Sequence, residues 1–545
     1  MKYDEILSSI GEFGLYQKGI LALLCFPSLS IGSFCMMLIA VLFTPNHRCK
    51  IPSLPNDTYA IQNPHHAQLV NETIPPSNDP TLVYDKCHIY NTTGISFDPD
   101  YQQANTSKTE CNKWVYDQTV FTNTFTSQLN LVCGDSLKTS HIMMIFYLGF
   151  LVGDIILSML SDSKGRKKTI YLAMFITLVT SISVTFAPEF YSFTILMFVV
   201  GGSAHGAFLA ISVLCTEMVG PSKRLWAIMI TQITVCSGGC YVAVAAFAGR
   251  SWTVLNLSCA IPCVIYLSYW WLIPESPRWL ISKEREREAE VIIRKTAKVN
   301  KTQVPENMHF TKGDIPRQPE GKLWHVFVSP ILLRRTLILA FNWMIVSMTY
   351  YGVTMNAANM GGHFFLNFFL MGLVEIPGVI LCIVILDKLG RRWSNAGTMI
   401  LGGIACLATI PTVVLGGDEL QPLIITLALI GKAAATAAFA TIYMFTAELV
   451  PTIVRNSSMG TCSCAARVGA MIAPYIAKSG EMIGGNFGMI EPLVVFGALS
   501  ILAGLLLLLL PETLNKKLPD TIAEGEQFGR ITELTEMEVP LAKNL

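Results

Sequence analysis

Long apolar runs separated by short polar turns dominate this chain. Each run is about 20 residues long, the length that an α-helix needs to cross the hydrocarbon core of a bilayer. Six runs lie in the first half and six in the second, at 20–43, 141–160, 169–187, 193–215, 226–248, 253–273, 336–354, 364–386, 395–415, 422–444, 457–479 and 488–510. The pattern predicts an all-α integral membrane protein with twelve transmembrane helices in two six-helix halves.

The polar segments between these runs define the predicted domains. They are a cytoplasmic N-terminus, a first half with a long external loop, a cytoplasmic linker, a second half and a cytoplasmic tail. Their bounds are 1–19, 20–273 with the loop at 44–138, 274–335, 336–512 and 513–545. The orientation follows from Lys and Arg, which concentrate in the linker and in the turns after the second and eighth runs, because basic residues favour the cytoplasmic side.

Composition supports a membrane protein and argues against several classes of function. Of 545 residues, 52% are hydrophobic and 14% are charged. Soluble domains carry about 25% charged residues, so much of this surface must face the lipid bilayer. The net charge of +1 gives no reason to expect a nucleic acid partner. Because the chain lacks a phosphate-binding loop, a dinucleotide fingerprint and metal-ligand spacing, we expect no enzyme, cofactor or metal site.

The predicted external loop carries four cysteines and four glycosylation sequons. The cysteines are Cys49, Cys87, Cys111 and Cys133, which can pair in three ways that the sequence leaves open. The sequons begin at Asn56, Asn71, Asn91 and Asn105. Both features suit an oxidising exterior. We therefore predict a glycosylated, disulfide-bonded loop on a plasma-membrane protein whose two termini lie inside.

Three charged markers occur twice and in the same order. Each copy lies beside an apolar run, which indicates a duplicated membrane half and a carrier whose halves rock about a site between them. The markers are Asp162, Gly165 and Arg166 against Asp387, Gly390, Arg391 and Arg392; Glu217 and Arg224 against Glu448 and Arg455; and Glu275 against Glu512.

The first marker has the chemistry of a gate. Its glycine allows a tight turn between two helices. Its aspartate can accept hydrogen bonds from helix N-terminal amides, or it can pair with an arginine of the facing half. Ion pairs of the second kind would hold the cytoplasmic face shut and break when that face opens.

These motifs resemble those of the organic ion transporter family of the major facilitator superfamily, which includes organic cation, carnitine and organic anion carriers. The resemblance extends over nearly the whole chain and rests on Glu217-Met-Val-Gly220-Pro-Ser-Lys-Arg224, Pro274-Glu-Ser-Pro-Arg-Trp279, Glu448-Leu-Val-Pro451 and Leu510-Pro-Glu-Thr513. It implies the major facilitator fold and transport by alternating access. Two departures are Ser158, where the family usually has glycine, and four loop cysteines in place of six.

Four ionisable residues lie near the centres of predicted spans: His205, Glu375, Lys432 and Arg467. Each is a functional candidate, because a charge at mid-bilayer costs roughly 2.5–3.5 kcal/mol on insertion scales. Arg467 suits a substrate carboxylate, or it is neutralised by Glu375 or Asp154. In the resembled family, the anion and carnitine carriers have arginine there. Glu375 attracts an ammonium or pairs with Lys432, Lys432 is favoured as a counter-charge, and close helix packing is favoured for His205.

Aromatic residues supply a second set of candidates. Trp343, Tyr350 and Tyr351 fall on nearly one face of the seventh span, and Gln232 and Tyr241 on the fifth span are predicted to look across the cavity. An aromatic cage holds a quaternary ammonium by cation–π attraction.

Together with Arg467 and Glu375, these residues predict a secondary or facilitative carrier of small organic cations and zwitterions, such as carnitine. Transport would run downhill, by exchange, or on a sodium or proton gradient. Two alternatives stay open: an organic anion exchanger, and a non-transporting sensor with the same fold.

Overall fold

The computed structural model describes residues 3–77, 83–90, 107–303, 329–356, 362–415, 420–483, 485–516 and 518–529. Within these ranges, eleven helices are long and apolar enough to cross a membrane. The remaining predicted span, the eleventh at 457–479, lies in a further 29-residue helix, Arg455–Ile483. That helix is less apolar because it contains Arg467 and Lys478.

The described helices follow the predicted order closely. In the first half they are α1 Tyr3–Ser9, α2 Leu15–Val41, α3 Pro64–Thr73, α4 Phe125–Gln128, α5 Leu137–Lys164, α6 Arg166–Thr185, α7 Phe190–Met218, α8 Arg224–Gly249, α9 Trp252–Ala260, α10 Tyr269–Leu272, α11 Pro277–Ser282 and α12 Glu286–Asn300. In the second half they are α13 Pro330–Met355, α14 Phe364–Leu389, α15 Arg391–Leu415, α16 Gln421–Leu449, α17 Arg455–Ile483, α18 Gly485–Leu507 and α19 Ile522–Gln527.

The sixth span is not a continuous α-helix. Between α9 and α10 the backbone tightens into a 3₁₀-helix over Ile261–Ser268. Pro262 lies at the start of this segment and has no N–H to donate back into the preceding turn. The prediction of one span at 253–273 is therefore correct in extent, since the apolar stretch Trp252–Leu272 is long enough to cross a bilayer.

The duplicated sequence is also a duplicated packing unit. In the first half α2 packs on α8 and α5 packs on α7, and in the second half α13 packs on α17 and α14 on α16. The halves meet through two matched pairs of helices, α5 with α17 and α8 with α14. Helices from both halves therefore line one interface.

Glycine makes the closest helix contacts in the first half possible. Gly153 of α5 lies against Gly202 of α7, and a Cβ atom on Gly153 would overlap the Gly202 backbone. The α5–α7 pair can approach this closely only without side chains at the crossing. The position of Asp154 and of His205, which follow these glycines, depends on that contact.

The external loop folds into a small domain of its own. Two antiparallel ladders pair β1 His47–Cys49 with β4 Trp114–Tyr116, and β2 His88–Tyr90 with β3 Lys108–Glu110. The disulfides are Cys49–Cys111 and Cys87–Cys133, one of the three pairings that the sequence left open. Asn56 and Asn71 are exposed. The predicted glycosylation sites Asn91 and Asn105 lie outside the described residues.

The N-terminal segment and the start of the linker are fastened to the first half. The Asn300 side chain donates to the Ile10 carbonyl (3.0 Å) and to Gln17 Oε1 (2.9 Å), and it accepts from the Tyr16 amide (3.0 Å). The Tyr3 hydroxyl donates to the Glu217 carbonyl (3.1 Å), and burial raises the pKa of this phenol. The linker therefore begins as part of the first half.

Candidate substrate site between the two halves

An ion network crosses from one half to the other near mid-depth. Arg467 Nη2 of α17 lies 3.2 Å from Asp154 Oδ2 of α5 and 3.2 Å from His205 Nε2 of α7. His205 Nδ1 lies 2.6 Å from Asp154 Oδ1. The Arg467 side chain is 3% exposed. A single guanidinium from the second half thus joins two ionisable groups of the first.

The hydrogen bonds define the protonation of this network. A carboxylate accepts and a guanidinium only donates. His205 must therefore carry its proton on Nδ1, toward Asp154, and accept at Nε2 from Arg467. The imidazole is neutral in this arrangement, so the charges of Arg467 and Asp154 balance. The prediction that close helix packing explains His205 was incomplete, because the ring itself belongs to the ion network.

A second ion pair lies within the second half. Lys432 Nζ is 2.9 Å from Glu375 Oε1, 2.7 Å from Thr354 Oγ1 and 3.2 Å from the centre of the Tyr350 ring. The Tyr350 hydroxyl donates to both carboxylate oxygens of Glu375 at 2.9 Å. The Lys432 and Glu375 side chains are 0% and 3% exposed.

Both predicted charged ligands therefore already have counter-ions in the protein. Arg467 pairs with Asp154, and Glu375 pairs with Lys432. An unpaired buried charge costs several kcal/mol, so a substrate group that binds either residue has to replace the partner's contribution. The pairing with Asp154 rather than Glu375 resolves one alternative that the sequence left open.

Tyr351 lies near both ion pairs. Its ring packs 4.7 Å from that of Tyr147 in α5, across the boundary between the halves. Tyr351 interacts electrostatically with both Arg467 and Glu375, and so does Cys35 of α2. These contacts bring the two charged clusters into one region. Tyr147 and Cys35 were not predicted as site residues, since an uncharged residue in an apolar run gives no sequence signal.

Three other predicted ligands, Trp343, Tyr241 and Gln232, each form a hydrogen bond within their own half. Trp343 turns toward α16, where its Nε1–H donates to Thr446 Oγ1 (2.9 Å). The Tyr241 hydroxyl donates to the Ser258 carbonyl in its own half (2.8 Å). The Gln232 amide contacts the Cys236 thiol of the same helix at 4.0 Å.

Aromatic rings from both halves pack together at the end of this interface next to the loop at 44–138. Phe43 packs on Phe364 with ring centres 4.7 Å apart, and Phe365 packs on Phe121 at 5.2 Å and on Phe247 at 5.5 Å. These residues lie at the ends of α2, α8 and α14 next to this loop and in the segment before α4. They form one apolar cluster that joins the two halves.

The interface between α5 and α17 differs at its two ends. At the end next to the loop at 44–138, Ser140 Oγ donates to the Pro474 carbonyl at 3.2 Å. At the other end, Ser158 lies one turn from Asp154 and is exposed. Gly460 and Cys464, on the Arg467 side of α17, are exposed as well. The Arg467–Asp154 pair therefore lies between a hydrogen-bonded end of this interface and an end with exposed residues.

The repeated gating markers form matching clusters at the ends of the helices that are predicted to face the cytoplasm. Arg166 pairs with Glu217 at 3.0 Å, and Arg391 pairs with Glu448 at 3.1 Å. In each cluster a third carboxylate accepts from helix N-terminal amides. Glu275 accepts from the Arg166 amide at 2.9 Å, and Glu512 accepts from the Arg391 amide at 2.8 Å. An anion at a helix N-terminus is favoured by the helix dipole.

Glycines shape both clusters. Gly165 and Gly390 have φ values of +106° and +83°, and a Cβ on either would collide with the Glu275 or Glu512 carboxylate. Glycine is thus needed here both for the left-handed backbone and for the approach of the glutamate. The repeat of Glu275 as Glu512 is visible in the sequence, but the contact of each glutamate with the turn was not predicted.

In this conformation the marker aspartate of the first copy pairs within its own half, and not with an arginine of the facing half. Asp162 is 77% exposed and pairs with Arg166 of its own half at 3.1 Å. The Asp387 side chain lies outside the described residues. Arg224 pairs at 2.6 Å with Asp4 of the N-terminal segment. Its counterpart Arg455 interacts electrostatically with Asp520 of the C-terminal tail and with Glu448.

Comparison with known proteins confirms the predicted family. Residues 90–522 match the sugar (and other) transporter family. The organic cation transporter protein of Drosophila melanogaster is 37% identical over 97% of this chain and 95% of its own length. The organic cation/carnitine transporter 2 of Homo sapiens is 32% identical over 99% and 96%. The beta-alanine transporter of Drosophila melanogaster is 31% identical over 96% and 89%.

Solved structures confirm the fold. The xylose transporter XylE from E. coli, in a partially occluded inward open conformation, matches with a TM-score of 0.58 and 14% sequence identity. The match covers 92% of this chain and 100% of the transporter. At this identity the likeness concerns the fold alone. From the relatives and the fold together, the chain belongs to the organic cation and carnitine transporter family of the major facilitator superfamily and is a membrane transporter.

Proposed function

We propose that this protein carries small organic cations and zwitterions, such as carnitine, across the plasma membrane by alternating access. In this proposal both termini face the cytoplasm. The observation that carries it is the placement of two buried ion pairs, Arg467–Asp154 and Lys432–Glu375, around Tyr351 at the interface of the halves. The names of the similar proteins add support, since carnitine and β-alanine are both zwitterions and others of these proteins are named for organic cations.

The two ion pairs suit the two ends of a zwitterion. A substrate carboxylate would take over Arg467 by a bidentate hydrogen bond, which displaces Asp154. A substrate ammonium would lie against Glu375 and the face of Tyr350, where a carboxylate and a ring attract a cation together. Because Arg467 bonds to Asp154 and His205 of the first half, substrate binding at Arg467 would change the contact between the halves.

We also propose that transport is coupled to an ion gradient, with sodium and protons as the two alternatives. The network of Asp154 and His205 offers a place for a proton once Arg467 has turned to the substrate. Three titratable groups near this network interact electrostatically with Arg467 or Asp154. They are Cys35 of α2, Tyr351 of α13 and Tyr443 of α16. None of these three is a carboxylate, so a bound proton would be shared between Asp154 and His205.

A second candidate function is organic anion exchange. The observation in its favour is that two buried cations, Arg467 and Lys432, lie in the same region. Tyr350 and Glu375 weigh against it, because an aromatic face and a carboxylate attract positive charge.

The test is competitive uptake into vesicles with carnitine, tetraethylammonium and benzoate as three probes. We expect saturable uptake of the zwitterion, stimulated by the same compound on the opposite side. Replacing external sodium with lithium or potassium, and separately imposing a pH gradient, identifies the coupling ion. Preference for benzoate would support anion exchange, and binding of a probe without any uptake would support a sensor and overturn the proposal.

A further inference from the structure

The head group of Lys432 occupies a complete cation-binding site. It contacts one carboxylate oxygen of Glu375 (2.9 Å), one hydroxyl of Thr354 (2.7 Å), the Tyr350 carbonyl (3.2 Å) and the face of the Tyr350 ring (3.2 Å to its centre). A carboxylate, neutral oxygens and an aromatic face are the groups that recognise an ammonium ligand. The lysine thus occupies the place where the substrate ammonium would bind.

The buried charges of this region also sum to zero. Among the described residues around mid-depth, Arg467 and Lys432 are positive, Asp154 and Glu375 are negative, and His205 is neutral by its hydrogen bonds. A zwitterion adds no net charge to this set. A simple organic cation adds one uncompensated positive charge in a buried place, which is costly. A simple anion adds one negative charge at a similar cost.

We propose that Lys432 is a tethered competitor in the cation site, and that it sets the charge preference of the transporter. It keeps the site neutral when empty, and it makes substrates that bring a carboxylate together with their cation bind more tightly than simple cations. The inference rests on the proposed function for its substrate class. It goes further by naming the residue that selects zwitterions over simple cations.

The inference predicts opposite changes from two neutral substitutions. Lys432→Gln leaves the site with one excess negative charge, so tetraethylammonium should bind about tenfold tighter than to the wild type. Glu375→Gln leaves one excess positive charge, so benzoate should gain affinity and tetraethylammonium should lose it. The double variant restores neutrality and should bind neither simple ion tightly. Lys295→Gln, on the exposed surface of α12, is the matched control for loss of a lysine.

The measurement is the thermal stability of the purified full-length protein, titrated with tetraethylammonium, carnitine or benzoate. This readout needs no turnover, so a protein that does not transport can still confirm the inference while the proposed function fails. Lys432→Gln leaves Glu375 unpaired, which lowers the stability of the variant without ligand. Because tetraethylammonium would pair with Glu375, we expect it to stabilise this variant. The inference would be overturned if tetraethylammonium stabilised Lys432→Gln no more than it stabilises the wild type. It would also be overturned if Glu375→Gln kept the charge preference of the wild type.

Discussion

Arg467 in α17 donates to Asp154 in α5 at 3.2 Å, and this hydrogen bond joins the two halves of the transporter near the middle of the membrane. The residues belong to helices that are far apart in sequence but form one of the two matched interfaces between halves. The same arginine is the candidate for binding a substrate carboxylate. Substrate recognition and the contact between the halves therefore share one side chain.

Arg467→Ala should lower uptake of carboxylate-bearing substrates by at least about tenfold. The variant removes the guanidinium and leaves Asp154 as an unpaired buried charge, which also costs stability of about 3–5 kcal/mol. Vesicle uptake of carnitine, normalised to folded protein, measures the first effect. Arg467→Lys is the control, since it keeps the charge but loses the planar fork. Carnitine uptake that survives in Arg467→Ala would refute the role of this residue.

The ion pair itself should show in a double-mutant cycle. Asp154→Asn and Arg467→Gln each leave one charge unpaired, whereas the double variant leaves none. We expect the double variant to be more stable than either single variant, with a coupling energy of about 0.5–3 kcal/mol. Thermal unfolding in detergent provides the measurement. Additive losses of stability would mean that the two side chains do not interact.

Glu275→Gln and Glu512→Gln should slow transport without changing the substrate affinity. Each glutamate accepts from the amides that begin α6 or α15, far from the ion pairs of the site. Losing the negative charge weakens the interaction between the glutamate and the helix N-terminus at the gating turn by about 0.3–1 kcal/mol. The maximal rate should fall in both variants, and the half-saturating concentration should stay constant.

The matched control for this pair is Glu286→Gln, an exposed position in the first turn of α12. We expect it to transport at the wild-type rate. If Glu275→Gln changed the half-saturating concentration instead of the rate, the glutamate would act on the substrate site and not on the gate.

Gly153→Ala should destabilise the protein, and Gly397→Ala should not. A Cβ on Gly153 overlaps the backbone of Gly202, whereas a Cβ on Gly397 meets no atom within 4 Å. Overpacking costs about 1–3 kcal/mol, and alanine in an open helical position gains up to about 1 kcal/mol over glycine. Thermal unfolding of the two variants side by side tests this. Equal stability would show that α5 and α7 are farther apart than described.

The external loop should lose stability in acid through Asp57. Burial alone would raise the pKa of this carboxyl, but hydrogen bonds from Arg48, from the Ile51 amide and from His66 lower it overall. A lowered folded-state pKa means that the stabilisation is complete above about pH 4, the usual range of aspartate, and is lost as the pH falls further.

Protease resistance of the loop between pH 7 and pH 3 measures this effect. Asp57→Asn should already be less resistant at pH 7, because Arg48 Nη2 loses its carboxylate partner at 2.6 Å. Asp85→Asn, whose carboxyl lies in a more exposed pair with His88, is the control and should change little. An acid profile of Asp57→Asn identical to that of the wild type would refute the assignment.

The sequence by itself determined the class, the topology and the repeated unit of this protein. An α-helix that crosses a bilayer has to be long and apolar, so the spans can be read directly from residues such as 141–160 or 422–444. The doubled Gly165 and Gly390 markers identified the duplication for a similarly local reason. They mark turns whose backbone only glycine adopts easily.

Only the tertiary structure decided which charges meet. Arg467, Asp154 and His205 come from three helices, and Glu375 and Lys432 from two more, so their pairing depends on helix rotation and register. The apolar pattern of a buried span does not encode either quantity, since such a helix is hydrophobic all round. The sequence therefore named the buried charges, and helix packing selected their partners, turned Tyr241 toward Ser258 and placed Lys432 in the cation site.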